Sequence, residues 1–275
     1  MRALVPTGNQ MDLGNLPEYW RVLAAEFREL ESLPSLDDRR LLSVRAFDEA
    51  QVAGPRTYMA VIKYLGVARD NHEALLALFK HHGATLWAPW SLLRPTFEAA
   101  FLAAWILDPD VGRVRRIRGL RSEVQDFYEQ RKHRRAFKAL PELRTLIEDS
   151  ERGEEQNSLK TYRAEAAQLG EPFDKIHQRI VVTNELPKLS FVSGQADFAA
   201  FLEGTWRLLS GFEHGYSWAL LRGTHRGAEA EIPGGASVHL VIDDDEFVIA
   251  AKTTYFLLVS ACRLLKRRHL QPDGR

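Results

Sequence analysis

The side chains best suited to proton transfer and phosphate binding are concentrated in one stretch, Gly204-Thr-Trp-Arg-Leu-Leu-Ser-Gly-Phe-Glu-His-Gly-Tyr-Ser-Trp218. Wound as a helix at about 100° per residue, Arg207, Ser210, His214, Ser217, Trp218 and Leu221 fall within one arc. Histidine is the residue whose charge changes near neutral pH, and an arginine two turns away suits a phosphate or carboxylate. Gly211 and Gly215 border the arc. Each costs about 1 kcal/mol of helix propensity relative to alanine, and each admits close approach of a backbone or ligand. The alternative is architectural: His214 and Ser210 hydrogen-bond Glu98 or a carbonyl inside a closed core network.

A second set lies upstream. Arg94 and Glu98 stand four apart and are the only charged residues between Lys80 and Asp108, on one stripe with Phe101, Trp105 and Asp108. A helix apolar on nearly every side sits at the centre of its domain, which predicts a buried pair. Buried ion pairs are often no better than apolar residues for stability, so this one points either to function or to helix register. Pro95 lacks the amide that would bond the Ser91 carbonyl, so the helix either begins near Arg94 or kinks there. A third arrangement is a small acidic-ligand pocket lined by Arg94, Arg207, His214, Trp105 and Trp218.

Familiar catalytic signatures are missing from the sequence. It has no phosphate loop of the Walker type, no Gly-x-Ser-x-Gly elbow and only one cysteine, Cys262, which excludes an internal disulfide and a paired-cysteine zinc site. His72-Glu73 lacks the second histidine of a zinc-protease helix, and no Glu-x-x-His pair is present. No cofactor or metal is expected. Asp70, His72, His81 and His82 read as solvated helix-face residues before they read as ligands.

Ser91-Leu-Leu-Arg-Pro-Thr-Phe-Glu-Ala-Ala, Trp105-Ile-Leu-Asp-Pro109 and Arg207-Leu-Leu-Ser-Gly-Phe-Glu-His-Gly215 together resemble a set of uncharacterised helical proteins of actinobacteria, a likeness that covers most of the chain and implies no activity. Arg207 and His214, with six residues between them, are more loosely similar to the Arg-x4-6-His signature of HEPN domains. These are helical bundles found in toxins and phage-defence proteins, many of which cut RNA without a metal. That resemblance implies that His214 assists proton transfer at the ribose 2′-hydroxyl or leaving oxygen and that Arg207 steadies the phosphate. Ser210, Glu98 and Arg94 would support them, in a homodimer. Leu208 stands where many HEPN proteins carry a polar residue.

The elements that must position these residues follow from composition and periodicity. The chain has 275 residues, 45% of them hydrophobic, with 37 basic and 37 acidic side chains. That length supports a sizeable core, and that balance excludes global disorder and a dedicated polycationic nucleic-acid binder. Apolar spacing of three and four predicts a mainly all-α, multi-helix up-and-down bundle. Helices are expected at about Leu16 to Leu33, from an N-cap at Ser35 to before Gly54, at Thr57 to His82, Pro89 to Leu107, Asp110 to Phe137 and Ser193 to Arg222, with a last one after Asp243. One small peripheral β-hairpin is expected near 226-242, turning at Pro233-Gly234-Gly235.

The simplest partition is a single helical domain, 1-275, with a charged helical excursion at about 139-192. Between Arg113 and Lys138 the sequence is locally basic, and Arg115, Arg116, Arg118, Arg131 and Arg134 are candidate RNA contacts. Wound at 100° they point in several directions, so a solvated face is the plainer reading. The N-terminus lacks a signal-peptide pattern, and Arg94, Glu98, Pro89 and Pro95 interrupt the most apolar stretch. A cytoplasmic protein without a membrane span is expected. The competing readings are an RNA-binding or RNA-cleaving protein, a non-catalytic helical interaction protein, and the small acidic-ligand binder. They differ first in solvent access to His214.

Overall fold

The structure is a computed structural model, which describes residues 13–35, 43–137, 140, 154–233 and 235–272. Its order is α1 (Leu16–Glu31), α2 (Val44–Glu49), α3 (Gly54–His82), α4 (Ala88–Leu107), α5 (Gly112–Phe137), α6 (Glu154–Gln168), α7 (Phe173–Ile176), α8 (Val182–Glu185), a 3-10 turn (Leu186–Lys188), α9 (Ala196–Glu213), α10 (Ser217–Arg222), β1 (Thr224–Ile232), β2 (Gly235–Ile242) and α11 (Asp244–Leu270). This is a mainly-α fold with one small hairpin. β1 and β2 pair antiparallel from Thr224↔Ile242 to Ile232↔Gly235, with the register irregular between Arg226 and Glu229.

Contacts divide the described residues into two compact units, each discontinuous in sequence. The first takes in Met1–Ser32, Tyr64–Ala104 and Leu186–Arg263; the second takes in Leu33–Lys63, Trp105–Glu185 and Leu264–Arg275. The division therefore falls within α3, α4 and α11.

The first unit is built on aromatic packing. Trp90 of α4 stacks on Phe212 of α9 at 4.3 Å, and its edge meets Phe247 of α11 at 5.2 Å. Trp90, Leu93, Phe97 and Phe101, spaced three and four apart, are wholly buried, which is why α4 forms despite Pro95. The Thr96 hydroxyl donates to the Leu92 carbonyl at 2.8 Å, beside the bond that proline cannot make.

In the second unit, Leu120 and Val124 of α5 pack with Tyr162 and Ala166 of α6, Leu169 and Ile176. The charged stretch expected as an excursion at about 139-192 thus contributes to a core in its described part. Its apolar residues are few, but they fall on one side of α6. Residues 141–153 lie outside the described residues, as does 36–42, where the helix expected to follow Ser35 would begin. The helix described there starts at Val44, where the Ser43 hydroxyl accepts from the Ala46 amide.

The expected helix from Ser193 to Arg222 is two helices. Gly215 takes a left-handed φ of 67°, the Tyr216 amide bonds the Gly211 carbonyl at 2.9 Å, and the Gly215 amide bonds the Phe212 carbonyl at 3.1 Å. That pairing is the Schellman stop, which a glycine takes at no steric cost. The chain then turns and α10 folds back on α9. At Gly211 an added Cβ would lie 2.6 Å from Ala219 Cβ and 2.8 Å from Trp218 Cζ2, so this glycine permits the contact.

α11 is long and apolar enough to cross a membrane by length and composition, with 67% of its most apolar window buried within the fold. A core helix passes the same test.

Candidate functional site

The polar centre of the first unit forms where α4 meets α9. Arg94 is 6% exposed. Its Nη1 lies 2.6 Å from Glu98 Oε1, one turn along α4, and its Nε lies 3.4 Å from Glu213 Oε2 on α9. The guanidinium lies 5.2 Å from the centre of the Trp206 ring, and the Trp206 indole N–H donates to Glu98 Oε1 at 3.4 Å. Arg94 Nε and Nη1 are buried without a well-aligned hydrogen bond, so charge proximity holds them more than directional bonding does. Two carboxylates against one guanidinium leave the cluster net negative. Both carboxylates reach water, at 40% and 51% side-chain exposure, while the arginine does not.

Sequence spacing anticipates the Arg94–Glu98 pair, because residues four apart on a helix are neighbours. It misses Trp206 and Glu213, although these share a face of α9 with Ser210 at spacings of four and three. Ser210 is half-buried, whereas Arg207 and His214 are exposed. Arg207 reaches back along α9 to Glu203, with Nη2 and Nε at 2.6 and 2.9 Å from Oε1. His214 is the C-cap of α9, its ring 5.7 Å from that of Tyr216. Seven residues of helix separate Arg207 and His214 by about 10 Å of rise, and helical side chains lean toward the N-terminus, so Arg207 points away from the histidine.

The arc ends at His214. Ser217, Trp218 and Leu221 lie beyond the Gly215 stop on α10, so they do not continue the stripe down one helix. Trp218 is half exposed and packs against Gly211. Trp105 is not in this cluster: it belongs to the second unit, where it is fully buried, its indole N–H donating to Glu185 at 3.0 Å. The five-residue acidic-ligand pocket is therefore not assembled as the sequence suggests.

The basic helix α5 is largely committed internally. Arg115 is 2% exposed. Its Nε donates to Asp48 Oδ2 at 2.7 Å, its Nη2 lies 2.6 Å from the same oxygen, and its Nη1 donates to the Pro109 and Asp110 carbonyls at 2.7 Å each. With all three nitrogens so engaged it is a structural residue, not a nucleic-acid contact. Tyr58 donates to Asp48 Oδ2 at 2.9 Å, and burial raises its own pKa. Arg116 holds the Val52 carbonyl at 3.1 Å. Arg118 holds the Trp105 carbonyl and lies over its ring at 4.9 Å, and burial lowers the pKa of its guanidinium. Arg131 pairs with Glu155. Arg134 lines a hollow of about 240 Å³ with Glu123, Asp126 and Glu155, an acidic setting that opposes a phosphate.

Among the described residues no group of three or more His, Cys, Asp or Glu side chains is placed to hold a metal ion. His72 is buried with Nδ1 3.1 Å from the Tyr255 hydroxyl, and His81 and His82 are exposed at the end of α3.

No protein-family model matches this chain, and no curated protein or solved structure is significantly similar to it. Residue placement is thus the basis for any functional reading.

Proposed function

We propose that this chain binds and cleaves RNA through the outer face of α9, with His214 as the proton-transfer group and Arg207 as the phosphate ligand, in an HEPN-like manner. The observation that carries the reading is that both side chains lie in water; a closed core network would have sealed them. Among the described residues Arg207 is held only by Glu203, and an exposed ion pair of this kind contributes about 0.2–1 kcal/mol, so a phosphate can displace the carboxylate at little cost. The guanidinium then takes phosphate oxygens by charge-assisted, bidentate bonds.

His214 removes the proton of a ribose 2′-hydroxyl. The 2′-oxygen attacks phosphorus as the bond to the 5′-oxygen breaks, that oxygen is protonated by water, and a 2′,3′-cyclic phosphate remains. Because Arg207 reaches back along α9 to Glu203, away from His214, the reading has them engage neighbouring phosphates of one strand, or the same phosphate from two copies in a homodimer. Its setting would be the cytoplasm, with no membrane or metal.

The second reading, a non-catalytic helical protein, is favoured by one observation: Arg94 is buried and held by Glu98, Glu213 and Trp206. A mixed pool of labelled RNAs in excess chelator separates the two. His214→Ala is expected to lose about 100-fold or more of the cleavage rate, and Arg207→Ala to weaken RNA binding. Both positions are exposed, so both variants should melt like the wild type. No cleavage by wild type, or cleavage unchanged in His214→Ala, would refute the nuclease.

A further inference from the structure

A cleft of about 580 Å³ opens in the first unit where α9, α10 and α11 meet. Small-molecule sites fall in a range of about 300–1,000 Å³ and are mostly apolar with a few placed polar groups. Phe201, Leu208, Trp218 and Ile249 supply the apolar walls. Three of these, Phe201, Trp218 and Ile249, stay at least 40% exposed, a large loss of apolar burial if nothing lies between them.

The polar groups are two. Arg222 lies at the cleft with its Nη2 paired to Glu246, which leaves its Nε and Nη1 without a partner among the described residues. Thr205 is 6% exposed and lines the same cleft. Thr57, Thr96, Thr253 and Thr254, in the long helices, each donate a hydroxyl hydrogen to the carbonyl four residues back. The Thr205 hydroxyl makes no such bond. Its oxygen instead faces the water of the cleft, beside the guanidinium and the apolar walls.

We propose that this cleft binds a small apolar monocarboxylate, its hydrocarbon body between Phe201, Trp218 and Ile249 and its carboxylate on the free nitrogens of Arg222. The Thr205 hydroxyl donates to an oxygen of the ligand. Charge complementarity selects an acid over a neutral amphiphile, because a carboxylate gains a bidentate guanidinium contact that an alcohol cannot make. Glu246 opposes the ligand by competing for the same arginine. The site is independent of the RNA reading, for it uses neither Arg207 nor His214.

Gly204 makes the test clean. A Cβ built there meets nothing within 4 Å, yet the residue lines the cleft, so Gly204→Leu is expected to narrow the site while removing a glycine from a helix interior. The probes are decanoate and decanol, titrated against the full chain and followed by tryptophan fluorescence and calorimetry. Decanoate should bind saturably, at least tenfold tighter than decanol. Arg222→Gln should remove that preference, Glu246→Gln should tighten decanoate severalfold, and Gly204→Leu should abolish binding without lowering the melting temperature. Equal affinity for acid and alcohol, unchanged binding by Gly204→Leu, or no saturable binding would overturn the proposal. So would a wild-type dimer that Gly204→Leu dissociates, which would assign the cleft to a second copy.

Discussion

Acidification should destabilise this fold through His72 before most carboxylates are protonated. The imidazole is 5% exposed, in the first unit, against the Tyr255 ring at 5.0 Å and its hydroxyl at 3.1 Å. Burial pulls its pKa down to about 4 from an ordinary 6.5, with Glu73 opposing the shift only in part. The native state therefore keeps His72 neutral at pH values where the unfolded chain protonates it. Stability from this residue is complete above pH 6.5, falls as pH drops from about 6.5 to 4, and changes no further below that. At about 1.36 kcal/mol per pKa unit, the window of 2.5 units is worth about 3 kcal/mol. Urea unfolding between pH 7.5 and 4, for wild type and His72→Gln, isolates this contribution, since all other titrating groups are common to both. The variant should be less stable at pH 7.5 and should lose the excess slope, so the two curves converge as pH falls. Parallel curves across the window would show that burial does not hold His72 neutral in the folded state.

Two further perturbations test the second unit. Arg115→Met should destabilise by about 3–5 kcal/mol, because it leaves the Asp48 carboxylate buried and unpaired, and adding Asp48→Leu should recover much of that loss; denaturant midpoints of the single and double variants decide it. Gly119→Ala should lower the thermal midpoint although alanine is the better helix former, since its Cβ would lie 2.7 Å from Thr57 Cα and 2.3 Å from its hydroxyl oxygen, and crowding of this kind costs about 1–3 kcal/mol; a rise in the midpoint would show that α3 and α5 can separate.

Local rules carried far in this chain because most of its elements begin and end on local chemistry. α4 spans Ala88–Leu107 where apolar spacing places a helix from Pro89, and the hairpin turns at Pro233 as its turn residues require. Arg94 meets Glu98 because four residues of helix bring any such pair together. Gly215 marks the boundary of that legibility. Gly211 and Gly215 are the same residue type in the same helical pattern, and the first stays inside α9 because α10 packs against it while the second takes the left-handed turn.

The arginines of α5 show the same limit from the other side. Ten basic residues between Arg113 and Lys138 read alike as charge, yet Arg115 is buried on Asp48, 67 residues away in sequence, while Arg113 remains exposed. Likewise Trp206 and Glu213 joined Arg94 only when α9 packed on α4, and the hydroxyl of Thr205 and the guanidinium of Arg222 came to line one cleft only when α10 turned back. Sequence spacing set which residues share a helix face, because that is decided within a few residues. Which face is covered, and which charge finds its partner there, was decided by segments distant in the chain, because burial is a property of the assembled core.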